Sequence, residues 1–148
     1  MIDFVHLHVH TQYSILDGQA SIPKLVDKAV ADGMMGMAVT DHGNMMGIKE
    51  FFDYSSKVRK KGADEVKETE ALLENDSLDE DERKALEEKL SKARRKRDFM
   101  PIFGCEMYCA RRGMQLKETK EDSSGWHLIV LAKNAKGYHN LIKLVSRA

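Results

Sequence analysis

The sequence predicts an α/β fold, in which a largely parallel sheet with crossover helices is interrupted by a charged helical hairpin. Three observations point there. Residues 3–10, DFVHLHVH, alternate apolar and imidazole side chains at the period of a strand with two unlike faces. Strand-like and helix-like stretches then alternate along much of the 148-residue chain, the pattern of βα units. Residues 61–100 break that rhythm with 23 charged residues in 40 positions.

In the first strand Val5, Leu7 and Val9 fall on one face and His6, His8 and His10 on the other. After a turn at Gly18, Ser21 is placed to cap a helix carrying Ile22, Leu25, Val26, Ala29 and Val30 at helical spacing. Gly33 follows where that helix would stop. A second strand fits residues 35–40 and ends in the polar turn Asp41, His42, Gly43, Asn44; a helix over about 48–60 offers Phe51, Phe52 and Val58 for packing. The charged stretch, 61–100, reads as an insertion. Ten carboxylates and one lysine fill 64–82, while eight Lys or Arg and two glutamates fill 83–97. The halves can offset each other as antiparallel helices joined near Asn75 and Asp76. Ser77 followed by Glu80 fits a capping box, and Leu86, Leu90 and Ala93 fit a narrow apolar stripe; disorder is the competing expectation for so polar a segment. Residues 101–109 restore strand character. The apolar run HLIVLA within 126–132 suits a strand covered on both faces, and Asn134 then caps a last helix with Leu141, Ile142, Leu144 and Val145.

Composition narrows the function. Twenty-four Lys and Arg balance 24 Asp and Glu, which disfavours a nucleic-acid clamp working by bulk charge but leaves an anionic-substrate pocket open. No run of 18 apolar residues occurs and MIDFVHLHVH lacks the pattern of an export signal, so the expectation is a cytoplasmic protein without a membrane partner. Two cysteines cannot staple a secreted scaffold. The loose glycine spacings lack the Lys-Ser/Thr of a phosphate loop.

The informative residues are His8 and His10 on one strand, Asp17 after it, His42 at the end of the next, Glu106 on the third and His127 on the fourth. At the C-terminal ends of neighbouring strands such side chains can converge. Imidazoles and carboxylates form the N/O ligand set of Zn, Mn, Fe or similar divalent ions, and a glutamate can bridge two of them. Paired ions can deprotonate a water and neutralise a phosphate without a Ser or Cys nucleophile. His6 shares the strand face and is either a ligand or a hydrogen-bonding neighbour. Asp17 is a ligand or a turn carboxylate, and Asp41 a turn residue or the group that orients His42. His139 reads as surface or packing. Cys105 and Cys109 stand about 13 Å apart in an extended strand, too far to share an ion, and are expected to be buried and inert.

Taken together, HLHVHTQYSILDG, MAVTDHGNM, GCEMYC and HLIVLAKNAKGYHNLIKL resemble the polymerase-and-histidinol-phosphatase (PHP) family, in the form that opens the alpha subunits of bacterial replicative DNA polymerases. The likeness covers about residues 3–60 and 101–147. It implies a distorted (βα)7 barrel, of which residues 1–148 would be the N-terminal portion with 61–100 inserted, and a multinuclear metal centre at the strand ends. His8 and His10 match the family's first motif, Asp17 its following carboxylate, His42 the TDHG histidine, Glu106 the bridging glutamate and His127 the histidine of the HLI segment. By that resemblance Asp17, His42 and Glu106 are the catalytic groups, and all six residues are metal ligands.

The implied function is support of a DNA-directed DNA polymerase, with metal-dependent phosphoesterase chemistry that extends to 3′–5′ exonuclease proofreading. Mg would serve a polymerase palm outside these residues. The implied partners are the remainder of the alpha subunit, other replicase subunits and, through the parent protein, DNA. A stand-alone phosphatase such as one for histidinol phosphate, and a non-catalytic structural or subunit-contact module, are the alternatives. The fragment would then hydrolyse weakly at most, and its unclosed sheet would expose an edge and apolar faces.

Overall fold

A computed structural model describes residues 4–148. Asp3, where the first predicted strand begins, lies outside them. Helix α1 (Ile22–Ala31) leads into β1 (Gly36–Val39), followed by α2 (Ile48–Leu73) and α3 (Glu80–Asp98). Strands β2 (Met100–Ala110) and β3 (Gly125–Leu131) and helix α4 (Ala135–Val145) complete the order.

The sheet has the order β1-β2-β3 and is mixed. β1 pairs parallel to β2, with Gly36 opposite Met100 and Val39 opposite Phe103. β2 pairs antiparallel to β3, with Glu106 opposite Ile129 and Tyr108 opposite His127. This corrects the expected parallel fourth strand. Between β2 and β3 lies no crossover helix, only a polar loop with a 3-10 turn at Lys120–Ser123, and the two strands pair as a hairpin rather than as a βαβ unit. Nor is β3 covered on both faces: Trp126 is 63% exposed and Leu128 52%.

The leading segment is not a regular strand. His6 bridges Met37, the His6 carbonyl accepts from Ala38 N at 2.8 Å, and the Val9 carbonyl accepts from Thr40 N at 2.9 Å. Three steps along the segment therefore match two along β1. The extra residue is a bulge, and a bulge shifts the side-chain alternation. Leu7 is half exposed, while Val9 packs on the core.

The core lies between α1, α2 and one sheet face, with Ile22, Val26, Met37, Val39, Ile48, Phe51 and Phe99 buried together. Fully burying a side chain such as Phe51 contributes about 1.5–3 kcal/mol. Ser21 stands at the N-cap of α1 as expected, but its side chain makes no capping bond. Gly33 ends the connection with φ +79°, a conformation favouring glycine.

The charged stretch is a helical hairpin. The composition change at Lys61 falls inside α2, so the backbone shows no break there. Val66, Leu90 and Ala93 pack between the two helices, Leu86 is half-buried, and Arg94–Glu70 and Lys96–Glu65 pair at 2.9 and 2.8 Å. Gly62 permits the close approach, since a Cβ there would meet Arg97 N at 2.4 Å. The capping box is formed by Asp79 and Glu82, not Ser77 and Glu80: Asp79 Oδ1 accepts from Glu82 N, and Glu82 Oε2 accepts from Asp79 N. Ser77 instead donates to Asn75 in the turn. No helix among the described residues is long and apolar enough to cross a membrane.

Candidate metal centre

Glu106 is the centre of the site. Beyond Val39, β1 continues beside β2 through Glu106 N donating to the Asp41 carbonyl and Gly43 N donating to the Glu106 carbonyl, which sets His42 next to Glu106. Gly43 takes φ +66° in the turn. Glu106 is 5% exposed. Its ion-pair partners among the described residues are all histidines: His8 Nε2 at 4.0 Å, His10 Nε2 at 3.0 Å, His42 Nδ1 at 3.7 Å and His127 Nδ1 at 2.6 Å. Two groups that could hold a metal ion result, His8, His10, Glu106 and His42, Glu106, His127, each with donor atoms within 4.8 Å of one another. Oε2 faces His8, His10 and His42, and Oε1 faces His127, so the carboxylate lies between the two groups.

The first group fits a cation on its own chemistry. His8 Nδ1 lies 2.9 Å from Thr40 Oγ1 and His10 Nδ1 lies 2.9 Å from Ser14 Oγ. With Nδ1–H donated to each hydroxyl, both Nε2 atoms present lone pairs, and these face each other at 3.3 Å. Two lone pairs and a buried carboxylate repel unless a positive charge lies among them. Imidazoles bound at about 2.0–2.1 Å to one tetrahedral ion stand about 3.3 Å apart. Hydroxyl contacts of this kind also fix the orientation of ligating rings.

Asp17 belongs to neither three-residue group but adjoins both. Its Oδ2 lies 2.8 Å from His42 Nδ1 and 3.9 Å from His10 Nδ1. Asp17, and not Asp41, is therefore the carboxylate on the His42 ring. Asp41 is 1% exposed and accepts from Thr11 N at 2.6 Å and Thr11 Oγ1 at 2.9 Å, pinning the start of the loop that carries Ser14 and Asp17. His6 lies away from both groups, its ring set edgewise on Phe4 at 4.7 Å, as the bulge between His6 and His8 dictates. His139 is exposed in α4 beside Tyr138. Cys105 is buried and donates to the Asp41 carbonyl at 3.4 Å, and burial pushes its thiol up. Cys109 is exposed, against expectation, because it lies at the far end of the β2–β3 hairpin, where residues 108–110 are exposed whichever face they take.

The PHP domain family matches residues 6–148. The chain belongs to the PHP-domain family. It is similar to the DNA polymerase III subunit alpha of Borreliella burgdorferi, 35% identical over 146 residues that make up 97% of this chain and 9% of that protein. The protein of the same name in Treponema pallidum is 35% identical over 150 residues, 99% of this chain and 9% of its own. That of Aquifex aeolicus is 31% identical over 152 residues, 99% and 10% respectively. This PHP domain thus spans about a tenth of the length of these relatives.

Within the PHP domain, the residues that sequence reasoning passed over are Thr11, Ser14 and Thr40. All three are buried and polar, at 0%, 2% and 0% exposure. Ser14 Oγ also accepts from His42 N at 2.8 Å, so one hydroxyl positions histidines from two segments. Their one sequence signal was proximity to HxH and to TDHG.

Proposed function

We propose that this PHP domain is the N-terminal part of a bacterial DNA polymerase III alpha subunit, where it supports the polymerase and holds divalent ions for phosphoester hydrolysis. The observation that carries the reading is Glu106, buried between two histidine groups with Oε2 toward His8, His10 and His42 and Oε1 toward His127. His8, His10 and Glu106 would hold one ion, and His42, Glu106 and His127 another, with Asp17 at their margin. Bound there, Zn, Mn or Fe would lower the pKa of a water and offset charge on a phosphoryl group. The Asp17 carboxylate, part-exposed and 2.8 Å from His42 Nδ1, orients that ring and can take up the proton released from an attacking water. Thr40 and Ser14 keep His8 and His10 turned with Nε2 toward Glu106.

The substrate class in this reading is a phosphodiester, cleaved as a 3′–5′ exonuclease would cleave it. Relatives about ten times longer favour a polymerase subunit over a stand-alone phosphatase. The distorted (βα)7 barrel is part of the proposal: the exposed Trp126 and Leu128 of β3 supply surface for further elements to cover. The remainder of the alpha subunit, other replicase subunits and DNA are the partners, and Mg would serve a separate polymerase palm.

The test is metal quantification and nuclease assay on the complete N-terminal region, with His8→Ala and Glu106→Gln as matched variants. The reading expects stoichiometric metal in the parent and loss of metal and hydrolysis together in both variants. Metal-loaded parent protein inert on phosphodiesters and phosphomonoesters alike would leave only the structural role.

A further inference from the structure

One exposed aromatic at the mouth of the site is not needed as a ligand. Tyr108 lies on β2 two residues beyond Glu106 and opposite His127 in register. On a pleated strand that spacing puts Tyr108, Glu106 and His127 on one face. The phenol ring centre is 5.0 Å from that of His42 and 4.7 Å from that of His127, so the ring abuts both histidines of the second group. It is nonetheless 53% exposed. Tyr13 and Tyr54 donate their hydroxyls to Glu50 and Asp27, whereas the Tyr108 hydroxyl has no acceptor among the described residues.

We propose that Tyr108 is a substrate-binding residue of this site and donates its hydroxyl to a non-bridging oxygen of a phosphoryl group held at the Glu106 centre. The inference rests on the phosphoester reading above. An anionic substrate meeting Asp17 and Glu106 needs hydrogen-bond donors on the site's open side. Tyr108 supplies one without adding a cation that would compete for those carboxylates. Its ring, lodged against two imidazoles, has little freedom left, so binding costs little further ordering. Ring packing alone gives no reason for the hydroxyl, which separates this role from a structural one.

The test uses the full polypeptide that contains this domain, loaded with Mn, and inorganic phosphate as the probe. Metal content by mass spectrometry and phosphate affinity by calorimetry are compared between the parent and Tyr108→Phe. The variant should keep its metal and its melting temperature and bind phosphate roughly tenfold more weakly, the effect of one hydrogen bond to a charged group. With an activated phosphodiester, KM should rise by a similar factor while kcat changes less. Unchanged phosphate affinity in Tyr108→Phe overturns the inference, and so does loss of metal, which would make the residue a support for the ligands. A parent protein that binds metal but no phosphate defeats the phosphoester reading itself, and the role of Tyr108 with it.

Discussion

Replacing Asp41 by alanine should unlatch the loop that carries Ser14 and Asp17. The carboxylate is 1% exposed and holds both the backbone and the hydroxyl of Thr11, itself fully buried. A hydrogen bond to an ionised group contributes about 1.5–3 kcal/mol, and an unpaired buried N–H costs about 1–3 kcal/mol. Release of the carboxylate from its own desolvation offsets part of this, leaving a net loss of about 3 kcal/mol. For a domain of this size that lowers the melting temperature by roughly 6–12 °C. Urea and thermal unfolding without metal measure the loss directly. A double-mutant cycle with Thr11→Val isolates the side-chain bond and should return a coupling of about 1–2 kcal/mol. A loss below about 1 kcal/mol, or strict additivity in the cycle, would refute the latch.

Ser14→Ala removes the oxygen that meets His10 Nδ1 and His42 N, and should weaken metal binding by about 10–100-fold in a chelator-competition titration while leaving the circular dichroism spectrum intact. Unchanged affinity would show that the rings are held by other contacts. Gly62→Ala brings a Cβ to 2.4 Å from Arg97 N and 2.9 Å from the Ala93 carbonyl, so α2 and α3 must part, with a loss of about 2 kcal/mol by urea unfolding; a neutral result would mean the hairpin is looser than its packing implies. Arg112 and the N–H groups of Thr119 and Glu118 hold the Asp122 carboxyl well below the usual carboxylate range. A depressed folded value means that its contribution is full above about pH 4 and fades as acid protonates it below that point. The NMR signals of the Arg112 side chain and the Thr119 amide should stay fixed down to about pH 4 and move only in stronger acid; movement near neutrality would contradict the sign.

Much of this was legible in the residues. Apolar periodicity marks α1, α4 and the second half of the hairpin, because a helix that buries one stripe must repeat its apolar side chains near every third or fourth position. Asn134 was readable as a cap, and its side chain accepts from Gly137 N at 3.0 Å. The orientation of β3 was less legible, since alternation reports which face a side chain takes and not the direction of the neighbouring strand. The missing helix between the third and fourth predicted strands was the available signal for a hairpin. The capping box was displaced by two residues because Ser77 and Asp79 both have the chemistry of a cap, and the backbone path out of the turn selects between them.

The chain's residues alone specified the candidate donor set: three imidazole-bearing segments, Asp17 and one internal glutamate, in an order belonging to the PHP family. They did so because metal binding depends first on donor atoms, and donor atoms are written in residue types. Which carboxylate steadies His42, why His6 stays out, and how Thr40 and Ser14 turn the rings are decided by folding. Apart from the Ser14 contact with the His10 ring, four residues away, these depend on contacts between segments roughly 25–35 residues apart in the chain, where a bulge, a buried hydroxyl or a single strand pairing sets directions that no local pattern encodes.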